Sequence, residues 1–317
     1  MIEEDPYLSQ MMKYFKPLVP FVLGFLILLF THSFLELSLI NVVAQLILFG
    51  LVVCWPIWKL GVLSFVDIGW PWGLVVIGLL TLIFGEGQMV RVWLVGGAYI
   101  FMGMRMGLGA IQLWRKGYLQ KELPRYRYQR LRWERAGKNN TQLAMQSDAI
   151  MQGLANASYL AFPAFIIGAN PDPSISAFEI LGLGLWIASF LFESTADFQK
   201  LRFLRQMKAE GQQNKVCDVG LWKYTRHPNY FAEWMVWNAL IIAAIPSWFA
   251  LQNQEHWLVW LLLALGLLFI SRIMYTTLVY FTGAKPSEYY SLQKRPDYRA
   301  YTERVNMFFP GPPKKLN

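Results

Sequence analysis

Charge is scarce in this chain of 317 residues: Asp, Glu, Lys and Arg together make up 15% of it. A soluble domain carries about 25%, so much of this surface faces something other than water. Histidine and cysteine are rarer still, at three and two residues. Cys54, in an apolar run, and Cys217, in a basic loop, offer neither a disulfide framework nor a zinc set and read as free thiols. There is no G-x-G-x-x-G after a strand, no P-loop, no H-E-x-x-H and no histidine-rich diiron pattern, since His32 and His256 stand alone. No metal is therefore expected, and a nucleotide cofactor would have to be held inside a helical bundle by side chains and helix ends. The start, Met1-Ile-Glu-Glu-Asp-Pro6, is acidic, unlike the basic opening of a cleavable signal peptide, so none is expected.

Apolar residues are abundant: 55% of the chain is hydrophobic and 16% aromatic. Runs long enough to cross a bilayer, about 20 residues, are read near 17–35, 39–58, 62–84, 91–113, 148–169, 175–196, 229–249 and 256–281. The fold class is thus all-α, a polytopic transmembrane bundle of seven to eight spans, forming one membrane domain over 1–317. Residues 1–140 are apolar helices with few polar intrusions, whereas 141–317 carry the polar clusters. No internal repeat is visible.

The net charge of +9 could suggest nucleic acid, but its placement argues for topology. Nine Lys and Arg lie between Arg115 and Lys138, seven between Lys200 and Arg226, and seven between Lys285 and Lys315. The connections around 169–178 and 249–257 have none. Cytoplasmic loops collect Lys and Arg, so eight spans put all three basic regions and both termini in the cytoplasm. The stretch Arg125 to Arg135 interleaves aromatics with arginines and reads as an amphipathic segment on headgroups, with a ligand-binding lid as the alternative. Arg295 to Arg304 reads as a short interfacial helix stopped before Pro310.

Four polar groupings stand out. Glu193, Asp197 and Lys200, spaced by four and three at the end of the sixth span, project from one helix face. The structural alternative is a solvated helix end with Lys200 as counter-ion. Pro228 disfavours helix for His227 and suits a first helical turn, so a helix begins there, its N–H groups lying beside Arg226 as an anion site. Asn229 and Glu233 share one face of it, Tyr230 and Trp234 the next. The alternative is a snorkelling pair of Arg226 and His227 facing lipid. Arg105, inside the fourth span between Gly103 and Gly107, and Arg272, in the middle of the last, are intramembrane charges, which usually face a polar cavity or a carboxylate. An ion pair of Arg272 with Glu233 is the structural rival. Asp67, opening the third span in Phe65-Val-Asp-Ile-Gly-Trp-Pro-Trp72, is either a helix cap or an acid facing a carbonyl.

These residues form strings: Glu193-x-x-x-Asp197-x-Gln199-Lys200-x-x-Phe203, Gly220-Leu-Trp-x-Tyr224-x-Arg226-His-Pro-Asn-Tyr230-x-x-Glu233-x-x-x-Trp237, and Arg295-Pro-x-Tyr298-x-x-Tyr301. Together they resemble the DUF1295 group of the steroid 5-alpha-reductase family, related to sterol reductases and very-long-chain enoyl-CoA reductases. Weaker likeness runs forward through Asp67-x-x-Trp70, Arg105 and Arg115, so it spans roughly residues 60–310. The Arg-His-Pro-x-Tyr core is shared with isoprenylcysteine and phospholipid methyltransferases, which bind S-adenosylmethionine. Their paired glutamates after the last span are reduced here to a lone Glu288.

The resemblance implies an NADPH pocket among the C-terminal helices. Glu193, Asp197, Lys200, Tyr224, Arg226, His227, Asn229, Tyr230, Glu233 and Arg272 would bind the cofactor. It further implies reduction of an activated C=C bond in a steroid-like or other lipid taken from the bilayer, the N-terminal helices forming the substrate side. Asp67, held protonated by burial, Tyr99 and Arg105 are the candidate catalytic residues. Where steroid reductases place a tyrosine one turn before the residue matching Arg105, this chain has Met102, with Tyr99 a further turn back. Two rivals remain: a membrane methyltransferase reusing Arg226, His227 and Glu233 on a lipid thiol or amine, and a non-catalytic protein whose buried charges fix helix register. A bacterial inner membrane is the expected location.

Overall fold

The computed structural model describes residues 6–315; the acidic start, Met1 to Asp5, lies outside them. Among the described residues all regular structure is helical. Eight helical segments are long and apolar enough to span a bilayer: Gln10–Leu29, Leu35–Leu60, Leu63–Phe84, Met89–Arg115, Thr141–Gly168, Ala177–Ala209, Pro228–Asn253 and Trp257–Lys294. The chain is an all-α membrane protein, as its hydropathy requires.

Span boundaries move where polar contacts, not hydropathy, decide them. The first span ends before Thr31 because the Glu255 carboxylate accepts the backbone N–H groups of His32 (2.9 Å) and Ser33 (2.8 Å). The fifth starts at Thr141 because Asn140 caps it, accepting the Leu143 N–H at 2.9 Å. The sixth continues to Ala209, and the last passes through a π-helical stretch, Thr277–Phe281, to reach Lys294.

The chain divides into two compact units, residues 1–176 with 243–270 and residues 177–242 with 271–317. The fifth span, expected among the C-terminal helices, thus belongs to the first unit. There the third and fourth spans approach closely over glycines. A Cβ added to Gly78 would lie 2.6 Å from the Gly96 carbonyl oxygen, and one on Gly107 2.8 Å from the Trp72 indole nitrogen. Small residues permit such packing in lipid, where helices gain no hydrophobic attraction from one another. The fifth span is interrupted at Ser158, which is fully buried, so its broken backbone is shielded by protein as a membrane demands. Beside it, Asn41 donates to the Asn156 carbonyl (3.2 Å), Gln45 to the Gly73 carbonyl (2.9 Å) and Asn156 to the Trp70 carbonyl (3.0 Å).

The basic stretch after the fourth span forms the helix Pro124–Arg135. Its buried residues are Tyr126, Gln129 and Trp133, a single face at helical spacing, so it docks on protein instead of lying wholly on headgroups. Glu122 ties its start down, accepting from Arg130 (2.8 Å) and from the Leu63 N–H (2.9 Å).

In the second unit, residues 217–226 lie along the sixth helix. Gly220 adopts φ 55°, a left-handed conformation open to glycine at little cost, and a side chain there would run into the Gln199 amide. Gln199 in turn accepts the Leu221 N–H at 2.8 Å, and the Trp222 indole donates to the Ala196 carbonyl at 2.9 Å. The helix Tyr298–Arg304 is present as expected, but its Tyr298 and Tyr301 are buried. The Tyr301 hydroxyl donates to the Trp222 carbonyl at 2.5 Å.

Candidate functional site

In the second unit the seventh helix begins at Pro228, where the Pro pattern put it. The residues just before it are clasped by the C-terminal segment. The Arg226 N–H donates to the Asn306 carbonyl (2.9 Å), the Thr225 hydroxyl to the Phe308 carbonyl (2.9 Å), and the Gly311 N–H to the Tyr224 carbonyl (3.0 Å). The Arg226 guanidinium is buried and nearly saturated. Its Nε donates to Glu288 Oε1 (2.6 Å), Nη2 to Glu288 Oε2 (3.1 Å), and Nη1 to the carbonyls of Thr302 (3.0 Å) and Val305. Four of its five N–H donors are thereby engaged within the protein. Arg226 was expected to neutralise a phosphate; the geometry makes it the bolt of an internal clasp.

His227 is buried, with Nε2 3.2 Å from Glu288 Oε1. Because a carboxylate only accepts, that nitrogen carries the proton and Nδ1 is left as an acceptor. Burial pushes the imidazole below its ordinary range, outweighing the opposing pull of Glu288. Its ring stacks on Tyr230 at 5.3 Å between centroids and 9° between planes. Tyr230 is half-buried, its hydroxyl 3.5 Å from that of Ser287. Glu288 is the central acceptor of this cluster, yet sequence reasoning did not place it in the site. The available signal was its position as a lone carboxylate after the last long apolar run.

On the sixth helix, Glu193 is buried and Asp197 exposed. Both lie well inside the helix, which continues for three further turns to Ala209, so they do not form the solvated helix end that is the structural alternative. Asp197 accepts from the Asn229 amide at 3.1 Å, joining this helix to the start of the seventh. The Asn229 carbonyl oxygen is buried without a donor among the described residues. Lys200 lies over the Trp222 ring at 4.1 Å, a cation–π contact. Glu233 is half-buried, whereas the side chains of Tyr224 and Arg272 are exposed. The structure thus brings Asp197 and Asn229 together, and separately Arg226, His227 and Tyr230.

The first unit holds the three candidate catalytic residues, and two of them are already occupied. Asp67 pairs with Arg125 and accepts the Tyr126 hydroxyl. Both of its oxygens are engaged by these two side chains, so neither faces a substrate carbonyl. Asp67, expected to face a carbonyl, is instead held by the chain's own Arg125 and Tyr126. Tyr99 is fully buried and donates its hydroxyl to the Leu160 carbonyl at 2.6 Å, so it has no proton left for a substrate. Arg105 is half-buried, six residues from Tyr99 on the same helix and so about 120° around its axis. They do not form one catalytic face. Among the described residues no cluster of metal-ligating side chains occurs, and Cys54 and Cys217 are free thiols.

A family profile described as a protein of unknown function, DUF1295, matches residues 58–305. The chain belongs to the DUF1295 family. That match takes in the Asp67–Arg125 pair, the Asn229–Asp197 contact and the Arg226–Glu288 clasp, each with both partners inside it. A relative printed as an uncharacterized protein of Schizosaccharomyces pombe is 28% identical over 172 residues, 48% of this chain and 44% of the relative. The DUF1295 chain therefore spans less than half the length of that relative. No solved structure matches it.

Proposed function

We propose that this DUF1295 protein is a membrane reductase that uses NADPH to reduce an activated C=C bond, an enone or enoyl thioester, in a lipid from the bilayer. The observation that supports this reading is the meeting of Asp197 with Asn229 at the start of the seventh helix, with a buried amide oxygen on Asn229 that no described donor satisfies. Leaving such an acceptor unmet costs about 1–3 kcal/mol, which a ligand donor would recover. Carboxamide N–H and ribose hydroxyl groups are donors of that kind, so the residues present fit the cofactor. Bound there, NADPH would supply a hydride equivalent.

The chain's own residues would bind and orient. Asn229 accepts from the ligand while Asp197 fixes its amide, and Glu193 accepts a second donor. Lys200, shielded from water by Trp222, carries positive charge for a phosphate. Arg226 acts indirectly, holding Glu288, which orients His227 and through it Tyr230. The three basic regions would face the cytoplasm, by the excess of Lys and Arg they carry.

A methyltransferase using S-adenosylmethionine is the second reading, favoured by one observation: the Arg-His-Pro-x-Tyr core converges on Glu288. Thermal melting of the purified protein in mild detergent separates the two, because a ligand that binds only the folded state raises the melting temperature. NADPH stabilisation that is lost in Asn229→Ala supports the reductase. Stabilisation by S-adenosylmethionine alone supports the methyltransferase, and stabilisation by neither refutes both.

A further inference from the structure

The end of the sixth helix and the loop after it border an open, solvent-facing cavity of about 270 Å³, lined by Leu204, Met207, Lys208, residues 211–215 and Arg295. Leu204, Met207 and Lys208 recur at i, i+3 and i+4 on one face of the helix, which ends at Ala209. The loop turns back through two left-handed residues, Gly211 (φ 69°) and Asn214 (φ 59°), and the Gln212 N–H donates to the Met207 carbonyl at 2.8 Å. That turn carries Lys215 to the rim shared with Lys208 and Arg295.

The charges around this cavity are unbalanced. Among the described residues Lys208 and Lys215 meet no carboxylate, and Arg295 donates to the Ser291 hydroxyl at 3.0 Å. Arg295 also lies within electrostatic range of Lys200, another cation. Of the nearby acids, Asp218 pairs with Arg304 at 2.8 Å, while Glu210 accepts from the amides of Gln206 and the cavity-lining Gln212, leaving one negative charge beside three cations. By contrast Arg125, Arg130, Arg226 and Arg304 each meet an acid. Three cations around one opening, none of them in an ion pair among the described residues, repel each other, and an anion between them reverses the sign of that interaction. The apolar floor of Leu204 and Met207 favours an anion with an organic part over a small hydrated ion.

We propose that this cavity binds a phosphate-bearing ligand, the phosphate held by Lys208, Lys215 and Arg295 and the attached apolar part resting on Leu204 and Met207. The sixth helix has 33 residues, about 50 Å at 1.5 Å per residue, against a hydrocarbon core of about 30 Å. Its last turns therefore stand at or beyond the headgroups, where both a soluble nucleotide and an anionic lipid can reach. If the ligand is the dinucleotide, the inference rests on the reductase reading; if a lipid, it stands without it.

Two probes separate these sources: titration with 2′,5′-ADP in detergent, and melting in phosphatidylcholine nanodiscs with and without phosphatidylglycerol. The variants are Lys208→Ala with Lys215→Ala, and Arg295→Ala, with Arg202→Ala as a control for lost charge, since Arg202 is exposed on the same helix outside the cavity. Lys208 and Lys215 are exposed, so their removal leaves the fold intact. About tenfold weaker binding of either probe in the cavity variants, with the control unchanged, is expected. The affected probe identifies the source. Binding within twofold of wild type in the cavity variants, or no binding of either probe by the wild type, overturns the proposal. NADPH stabilisation that survives in those variants would leave the reductase reading standing while removing this cavity from it.

Discussion

Removing the carboxylate of Glu288 tests the clasp directly. Glu288 and Arg226 have side chains 9% and 7% exposed, so Glu288→Ala would leave a buried guanidinium holding only the carbonyls of Thr302 and Val305. Breaking a buried pair by deleting one partner costs about 3–5 kcal/mol, because the remaining charge stays desolvated without compensation. At about 2.1 cal/mol/K of unfolding entropy per residue, a chain of 317 residues loses about 1.5 °C per kcal/mol, so the melting temperature should fall by about 5–8 °C. Glu288→Gln should cost less, since one amide oxygen can still accept from Arg226. The double variant Arg226→Ala with Glu288→Ala should be less destabilised than the two single variants added together, as expected of groups in one network. Melting measured by intrinsic fluorescence in one detergent reads all four proteins. A Glu288→Ala protein that melts within 2 °C of wild type, or single effects that simply add, would refute the clasp.

Further outcomes follow from other contacts. His227 has a folded-state proton affinity held below its ordinary range by burial, so the unfolded chain binds the proton first as pH falls through about 6.5. Stability should therefore be fully present above that value and decline below it, and His227→Gln should flatten the acid limb of a melting-versus-pH curve. Gly73→Ala would force a methyl group into the amides of Gln45 and Asn156; overpacking of this kind costs about 1–3 kcal/mol, readable as a lower melting temperature. Tyr301→Phe removes the donor to the Trp222 carbonyl and should cost about 0.5–1.5 kcal/mol in the same assay. Asp67→Asn should destabilise by loosening Arg125 and Tyr126 without weakening cofactor binding; a loss of NADPH affinity there would restore Asp67 to the active site.

What could be read from the chain alone was whatever depends on near neighbours. Eight apolar runs became eight spans, because a bilayer's thickness sets the length of helix that must be apolar. Pro228 began the seventh helix because its ring fixes φ and restricts the residue before it. Glu193, Asp197 and Lys200 lie on one helix, so their common face was legible from spacing. Tertiary structure decided which partner each charge keeps. Arg226 meets Glu288, 62 residues away, instead of a phosphate; Asp67 meets Arg125, 58 residues away; the Tyr99 hydroxyl meets a carbonyl 61 residues away. Helical periodicity places a side chain on a face but does not choose among the distant groups that face could meet, and in a low-dielectric interior that choice settles whether a charge binds a ligand or bolts the fold.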